Sequence, residues 1–298
     1  MKLKAQFRDP VTFLRIMQSM AKLSNRCILR CSPEETHIVI PRGTGPVEAF
    51  AVLDDINFFF RDYKVESNFN NQVNIEVISD HLCQALKQIT PASQVTIKLA
   101  KHNNQPILNV EIITRSTTGQ ELTVIHEVLI TIKKPRDMEI IRTPEAVMDE
   151  NQSHYKIAAS LPELAEVRVV AERMRSVEST HDRIMILSNL AGEVKIAVQS
   201  DFTKVETLWT GMQTTEFWQQ NTDMTAAHKQ RFRQVNLDAR SFVRLLGCNL
   251  MDYVPEVFIA PKRFATFLIH VRKPGPASEK YIAHLQVTLN AMQEAYDE

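Results

Sequence analysis

The stretch KLKAQFRDPVTFLRIMQSMAKLSNRCILRC, residues 2–31, carries the pattern that decides the fold. From Lys2 to Arg8 polar and apolar residues alternate, the period of a strand with one buried face. Asp9-Pro10 then offers an N-cap followed by a proline whose fixed φ suits the first helical position. Phe13, Ile16, Met17, Met20 and Leu23 recur at helical spacing up to Ser24, and CILRC, residues 27–31, returns to period two. The unit is strand, helix, strand. The rest of the chain repeats it.

Strands are predicted in THIVIP (36–41) and EAFAVLDD (48–55), then in NQVNIEVIS (71–79), where Ser79-Asp80 should cap a short helix through Ile89. QVTIKLAK (94–101), QPILNVEIITRS (105–116) and ELTVIHEVLITIKK (121–134) read as three more strands. Periodicity stops in residues 133–153, KKPRDMEIIRTPEAVMDENQS, whose two prolines and mixed charge mark a linker. The order then returns. HYKIAASL (154–161) is a strand, Pro162 opens a helix to Val177, and RIMILSNL, EVKIAVQSD and TKVETLWTG are strands. Residues Met212 to Gln230 show no pattern and are expected to form a loop. RFRQVNL precedes a helix capped by Asp238 and running to Leu246, and EVFIAPKRF, FATFLIHVRK and YIAHLQVTL close the chain.

Helices thus begin near residues 10, 80, 162 and 238. Four copies of one helix-on-sheet unit, two to a domain, make the class α+β. The predicted division is residues 1–132, a connecting linker at 133–153, and residues 154–298.

Composition sets outer bounds. The 298 residues balance 35 Lys plus Arg against 35 Asp plus Glu, with 44% apolar and 23% charged residues, as in an ordinary globular protein. No apolar run nears the roughly 18 residues of a membrane span, and the opening MKLKAQFRDP has no apolar h-region. Cys27, Cys31, Cys83 and Cys248 are too few and too scattered for a disulfide framework, so a reducing compartment and buried thiols are expected. Cys27 and Cys31 should share one face of their strand, and no His or Cys follows at metal-ligand spacing. Phosphate-loop, dinucleotide, zinc-protease and nucleophile-elbow motifs are absent. Asp54-Asp55 reads as a turn and His181-Asp182 as a surface pair. No catalytic residue, cofactor or metal is predicted, and the leading class is a non-enzymatic binding protein.

The helices carry the remaining signal. At 100° per residue, Arg15, Lys22 and Arg26 gather on the side of the first helix opposite its apolar stripe. In the second, His81, Gln84, Lys87 and Gln88 face outward from Leu82, Leu86 and Ile89. In the third, Arg168 and Arg175 lie outward with Glu172 between them, while Val167, Val170, Met174 and Val177 face in. In the fourth, Arg240 and Arg244 sit one turn apart, opposite Phe242, Leu245 and Leu246. A neutral chain with basic helices has a charge distribution suited to a phosphate backbone.

Two domains of strand–helix–strands units, basic helix faces and a central linker resemble the DNA sliding clamps. Within that group the chain most resembles the hydroxyurea-sensitivity subunit family of the nine-one-one checkpoint clamps. The likeness rests on MKLKAQ, CILRCSPEE, INFF from Ile56, SDHLCQALK with QVTIKL, HEVLITIKKP, SLPEL, VVAERMRS, GEVKIAV and VNLDARSFVRLL, in order along the chain. The end, NAMQEAYDE from Asn290, and the helix stretch Glu163 to Glu166, which is less basic than in that family, depart from it.

The resemblance implies one third of a heterotrimeric ring with two paralogous clamp subunits, placed on double-stranded DNA by a clamp loader in the nucleus. The ring would recruit checkpoint and repair proteins and touch no membrane. The DNA-facing residues would be Arg15, Lys22, Arg26, Lys87, Arg168, Arg175, Arg240 and Arg244. Ile140, Ile141, Val147 and Met148 of the linker would border a partner-docking pocket, or else simply hold the linker to its own sheet. Ring contacts would use sheet edges, expected at Gln105 to Ser116 and Arg183 to Leu187. The alternative with the same fold is a self-trimerising replication processivity clamp. The balanced charge disfavours it.

Overall fold

The computed structural model describes residues 1–43, 45–89, 94–115, 119–177, 182–200, 202–217, 225–275 and 280–292. The chain begins β1 (Lys2–Phe7), α1 (Pro10–Leu23), β2 (Arg26–Cys31), β3 (Thr36–Ile40), β4 (Val47–Leu53) and α2 (Ile56–Phe59). It continues β5 (Phe60–Glu66), β6 (Val73–Ile78), α3 (Ser79–Leu86), β7 (Gln94–His102), β8 (Gln105–Arg115) and β9 (Glu121–Ile132). Two short helices follow, α4 (Pro135–Glu139) and α5 (Pro144–Gln152). Then come β10 (Ile157–Ser160), α6 (Leu164–Val177), β11 (Arg183–Ser188), β12 (Val194–Gln199), β13 (Lys204–Trp209) and β14 (Thr214–Glu216). The chain closes with α7 (Ala226–Gln230), β15 (Arg233–Asp238), α8 (Ala239–Leu246), β16 (Tyr253–Ala260), β17 (Phe264–Arg272) and β18 (Tyr281–Asn290).

The opening unit forms for the reasons its sequence gives. Asp9 caps α1, its Oδ1 accepting from the Thr12 amide at 3.0 Å, and Pro10 starts the helix. Phe7, Phe13 and Phe60 close the core beneath it, with Phe7 4.9 Å from each of the other two rings. Asp238 caps α8 in the same way, accepting from Ser241 at 2.8 Å. Ser79 differs from expectation: it is the first residue of α3, its side chain is buried, and no side chain caps that helix.

Other boundaries also move. The linker is not irregular but holds α4 and α5, and α6 starts at Leu164 rather than Pro162. The expected loop after Met212 contains β14 and α7, with residues 218–224 outside the described residues. Residues 178–181, including His181, and the tail 293–298 also lie outside them. Val177, expected inside, is 54% exposed at the end of α6. The unpredicted β5 is an edge strand paired only to β1, so it buries just Phe60 and Val65 and shows no clean alternation.

Fourteen strands form one antiparallel sheet in the order β14-β10-β16-β17-β18-β4-β3-β2-β6-β9-β8-β7-β1-β5. Four more form a second sheet, β13-β12-β11-β15. The long sheet crosses from one half of the chain to the other where β18 pairs with β4, from Ala283↔Leu53 to Leu289↔Val47. A two-residue turn, Asn103-Asn104 with φ of 49° and 63°, joins β7 to β8, as the twist of paired strands favours. Gly192, at φ 81°, turns β11 into β12 where a Cβ would come within 2.8 Å of the Met212 carbonyl oxygen.

The long helices form a layer on one face of the sheets. α1 lies beside α3, α6 beside α8, and α1 meets α8 across the boundary. There Lys22 Nζ donates to the Gly247 carbonyl, and the Asn249 amide donates to Ser19 Oγ at 3.2 Å. Strands β3 and β4 are buried along their whole length because helices cover one face and the linker covers the other. Cys27 and Cys31 do share the core face, where burial pushes their thiols up to about 12 and about 11. Both are therefore protonated and inert at neutral pH.

The opposite face carries a cross-strand row, His270↔His284↔Val52↔His37↔Arg30. His37 is 3% exposed, and burial lowers its pKa despite the Glu35 carboxylate at 3.3 Å and Glu145 nearby; Arg30 lowers it further. Burial and the His284 ring likewise lower His270, against Glu256 and Asp54. A histidine whose folded pKa lies below its unfolded value of about 6.5 stabilises the fold above that pH and loses the contribution as pH falls towards the folded value. The urea midpoint of the chain should therefore drop from about pH 7 to about pH 5.5. The double variant His37→Gln/His270→Gln should drop less, and an equal drop in both proteins would remove these two residues as the cause.

Candidate nucleic-acid interface

The helix layer presents the predicted basic side chains on one surface. Lys22, Lys87, Arg168, Arg175, Arg240 and Arg244 are exposed and Arg15 is half-buried. Arg26 is a correction: α1 ends at Leu23, and Arg26 is the first residue of β2, not part of the helix. It still borders the layer, because it lines a cavity of about 360 Å³ together with Arg244. A second cavity, of about 290 Å³, lies between α1 and α3 and is lined by Gln18, Lys22, Asp80, Gln84, Lys87 and Asn249.

The charges are not equally available. Arg26 pairs with Glu76 at 2.7 Å, and Lys133 takes the other oxygen of the same carboxylate. Burial pushes the Glu76 carboxyl up, but the bonds from Lys133 and Arg26 outweigh it and hold it below the usual range. Arg168 pairs with Glu172 one turn on, at 2.7 Å. Arg175 and Arg240 both reach Asp182. Among the described residues no carboxylate lies within ion-pair distance of Arg15, Lys22, Lys87 or Arg244. Such exposed pairs contribute at most about 1 kcal/mol each, so a phosphate can compete for their cations.

The linker is pinned to the other face of the sheet. Val147 is fully buried against Ile28, Val39, Phe50 and Met138, with Ile141 at the edge of that cluster. Met148 packs on a separate cluster built on Tyr155, Phe258 and Phe264. Ile140 is 86% exposed. The four linker residues therefore do not line one pocket: three hold the linker down and one faces solvent. Arg142 reinforces the seat by donating to both Glu48 and Glu150. Burial alone would lower Arg142, but the two carboxylates hold it above its ordinary value. Gln286 adds a buried bond to the Pro144 carbonyl at 3.1 Å.

The expected free edges are corrected too. β8 lies between β7 and β9, and β11 between β12 and β15, so neither Gln105–Arg115 nor Arg183–Ser188 is an edge. Besides β5, β14 and β15 at the other sheet ends, an open edge is β13, which pairs only with β12. The first part of β9 is open as well: Glu121 to Leu129 pair with β8 alone, and β6 takes only Ile130 to Ile132. Leu122, Ile125 and Leu129 are 52%, 57% and 60% exposed there, and Leu208 of β13 is 47% exposed. The sequence held this signal, since ELTVIHEVLITI is apolar on both faces and a strand with one covered face would not be. Asp54 and Asp55 end β4; Asp54 bonds the His284 ring at 3.0 Å, and Asp55 caps α2. Among the described residues no cluster of side chains could hold a metal, and no helix is long and apolar enough to cross a membrane.

The family model described as Hus1-like protein matches residues 1–283. The checkpoint protein hus1 of Schizosaccharomyces pombe is 27% identical over 252 residues, covering 83% of this chain and 84% of that protein. The checkpoint protein HUS1 of Homo sapiens is 27% identical over 256 residues, covering 83% and 86%. Among solved structures, the proliferating cellular nuclear antigen of Entamoeba histolytica superposes with a TM-score of 0.68 at 11% identity, over 98% of this chain and 99% of that one. The PCNA2-PCNA3 complex of Sulfolobus tokodaii gives 0.64 at 11% identity, over 97% and 98%. These likenesses establish a sliding-clamp fold, with helices segregated to one face of antiparallel sheets.

Proposed function

The chain belongs to the Hus1-like family, and from that premise we propose that it fills one place in a heterotrimeric ring closed around double-stranded DNA. It is a checkpoint sliding-clamp subunit. Its neighbours in the ring are two paralogous clamp subunits, residues 1–132 and 154–298 are its two clamp domains, and 133–153 connects them. A clamp loader places the ring on DNA in the nucleus, and the loaded ring recruits checkpoint and repair proteins without catalysis of its own. The linker is one docking point for them, with Ile140 as its exposed apolar contact.

One observation supports this reading: a single layer of four helices from both halves presents Arg15, Lys22, Lys87 and Arg244 without acid partners among the described residues, while open strands remain at β9 and β13. The layer supplies phosphate attraction without base recognition, which a sliding ring requires. The open strands supply backbone donors and acceptors for a neighbour. Edges that long and apolar are an aggregation hazard unless covered.

Solution mass tests the assignment. The purified chain should be monomeric alone and should enter a one-to-one-to-one complex when mixed with its two paralogues. A homotrimer formed by the chain alone would overturn the heterotrimer in favour of a self-assembling clamp.

A further inference from the structure

Two of the basic residues on the helix layer share one acid. Asp182 lies just before β11 with φ 47°, in the left-handed region that Asp tolerates better than most residues. Its carbonyl accepts from the amide of Ala239 at 2.8 Å, which fixes it beside the start of α8. Its carboxylate sits between α6 and α8: Oδ1 is 3.4 Å from Nε of Arg175, and Oδ2 takes Nε of Arg240. The carboxylate is 23% exposed, while the guanidinium side chains are 44% and 66% exposed. The acid is therefore the fixed member of the trio, and the arginines are the movable ones.

A carboxylate ion-paired with two guanidiniums does what a backbone phosphate would do on the same surface. It cancels one charge of two. Because exposed pairs are weak, the arrangement reduces the pull on DNA without removing it. Among the described residues the opposite half of the layer has no such arrangement at Arg15, Lys22 and Lys87.

We propose that Asp182 is an internal competitor for the DNA backbone, withholding Arg175 and Arg240 and leaving the grip to Arg15, Lys22, Lys87 and Arg244. The inference rests on the DNA-facing reading of the helix layer. Its consequence is an uneven hold: three of the four remaining cations stand at α1 and α3, and Arg244 alone stands on α8. Asp182 acts through the two arginines and is a positioning residue.

The test is retention of the full chain on an immobilised short duplex over a salt series from about 50 to 200 mM. Asp182→Asn keeps the shape and tolerates the same φ. It should raise retention several-fold at the low-salt end, and the log–log salt slope should steepen by about one to two, at about 0.9 per phosphate gained. Adding Arg175→Gln and Arg240→Gln should return the slope to the parent value or below. A purely structural Asp182 would instead give a lower thermal midpoint with an unchanged slope or weaker retention, and that result overturns the proposal. The variant Arg15→Glu/Lys22→Glu/Lys87→Glu/Arg244→Glu separates the two levels. If it abolishes retention while Asp182→Asn changes nothing, only the competitor role fails. If it leaves retention intact, the DNA-facing reading fails and takes the competitor with it.

Discussion

Ile125→Glu combined with Leu129→Glu should abolish joining of the chain to its paralogues while leaving the isolated chain as stable as the parent. Both side chains stand on the stretch of β9 that pairs on one side only, and they are 57% and 60% exposed in the single chain. Substitutions at such positions usually change folding stability by about 0.5 kcal/mol or less. In a ring, the neighbour's edge strand would cover them, and each new carboxylate would be buried without a partner. Central apolar anchors of an interface commonly cost about 2 kcal/mol or more when lost. Two together weaken association by roughly a thousandfold. Sedimentation of the mixed subunits against the parent mixture measures it. Normal assembly of the double variant would mean that β9 is not a ring edge.

Phe242→Ala should be the most destabilising single change on the helix layer. Phe242 is fully buried on α8, and its ring lies 5.7 Å from that of Phe267 on β17, so it fastens the helix to the sheet. Removing a buried phenyl ring forfeits its transfer free energy and leaves a cavity, together about 3 to 5 kcal/mol. That is a large share of the roughly 5 to 15 kcal/mol by which a domain is stable. The urea midpoint should fall steeply, and Phe242→Leu should recover most of the loss. A fall of less than about 1 kcal/mol would show that α8 is loosely held.

The sequence made the repeating architecture legible because its signals are local. Asp9-Pro10 and Asp238 are caps that act within one turn, and the stripes Phe13 to Leu23 and Phe242 to Leu246 are set by helical period alone. β5 is not legible, because an edge strand buries one face poorly and its partner, β1, is about 60 residues away, as in the register Leu3↔Val65. The linker helices were missed because α4 and α5 are short and owe their packing to the sheet beneath them. Edge strands are a property of sheet order, which period-two patterns do not encode, and so β8 and β11 were mistaken for β9 and β13.

The basic stripe was legible by residue type but not by state. Helical angle places Arg175 and Arg240 on the outer surface, yet only the folded chain brings Asp182 to both. Arg26 failed for a simpler reason: Ser24, in extended backbone at φ −151°, ends the helix before it. Charge counts therefore overstate how many cations of the second half stand unpaired.

The pairing of β18 with β4 has a mechanical consequence. Seven residue pairs, from Ala283↔Leu53 to Leu289↔Val47, bridge the midline of the subunit, and Lys22 and Ser19 tie the helices across the same line. Bending the chain there would break the ladder and the helix ties at once. The two halves of the chain are thus held as one stiff body, and a ring built from such bodies would yield at its joints. In the ring proposed above, opening to admit a duplex would therefore fall at the seams between protomers.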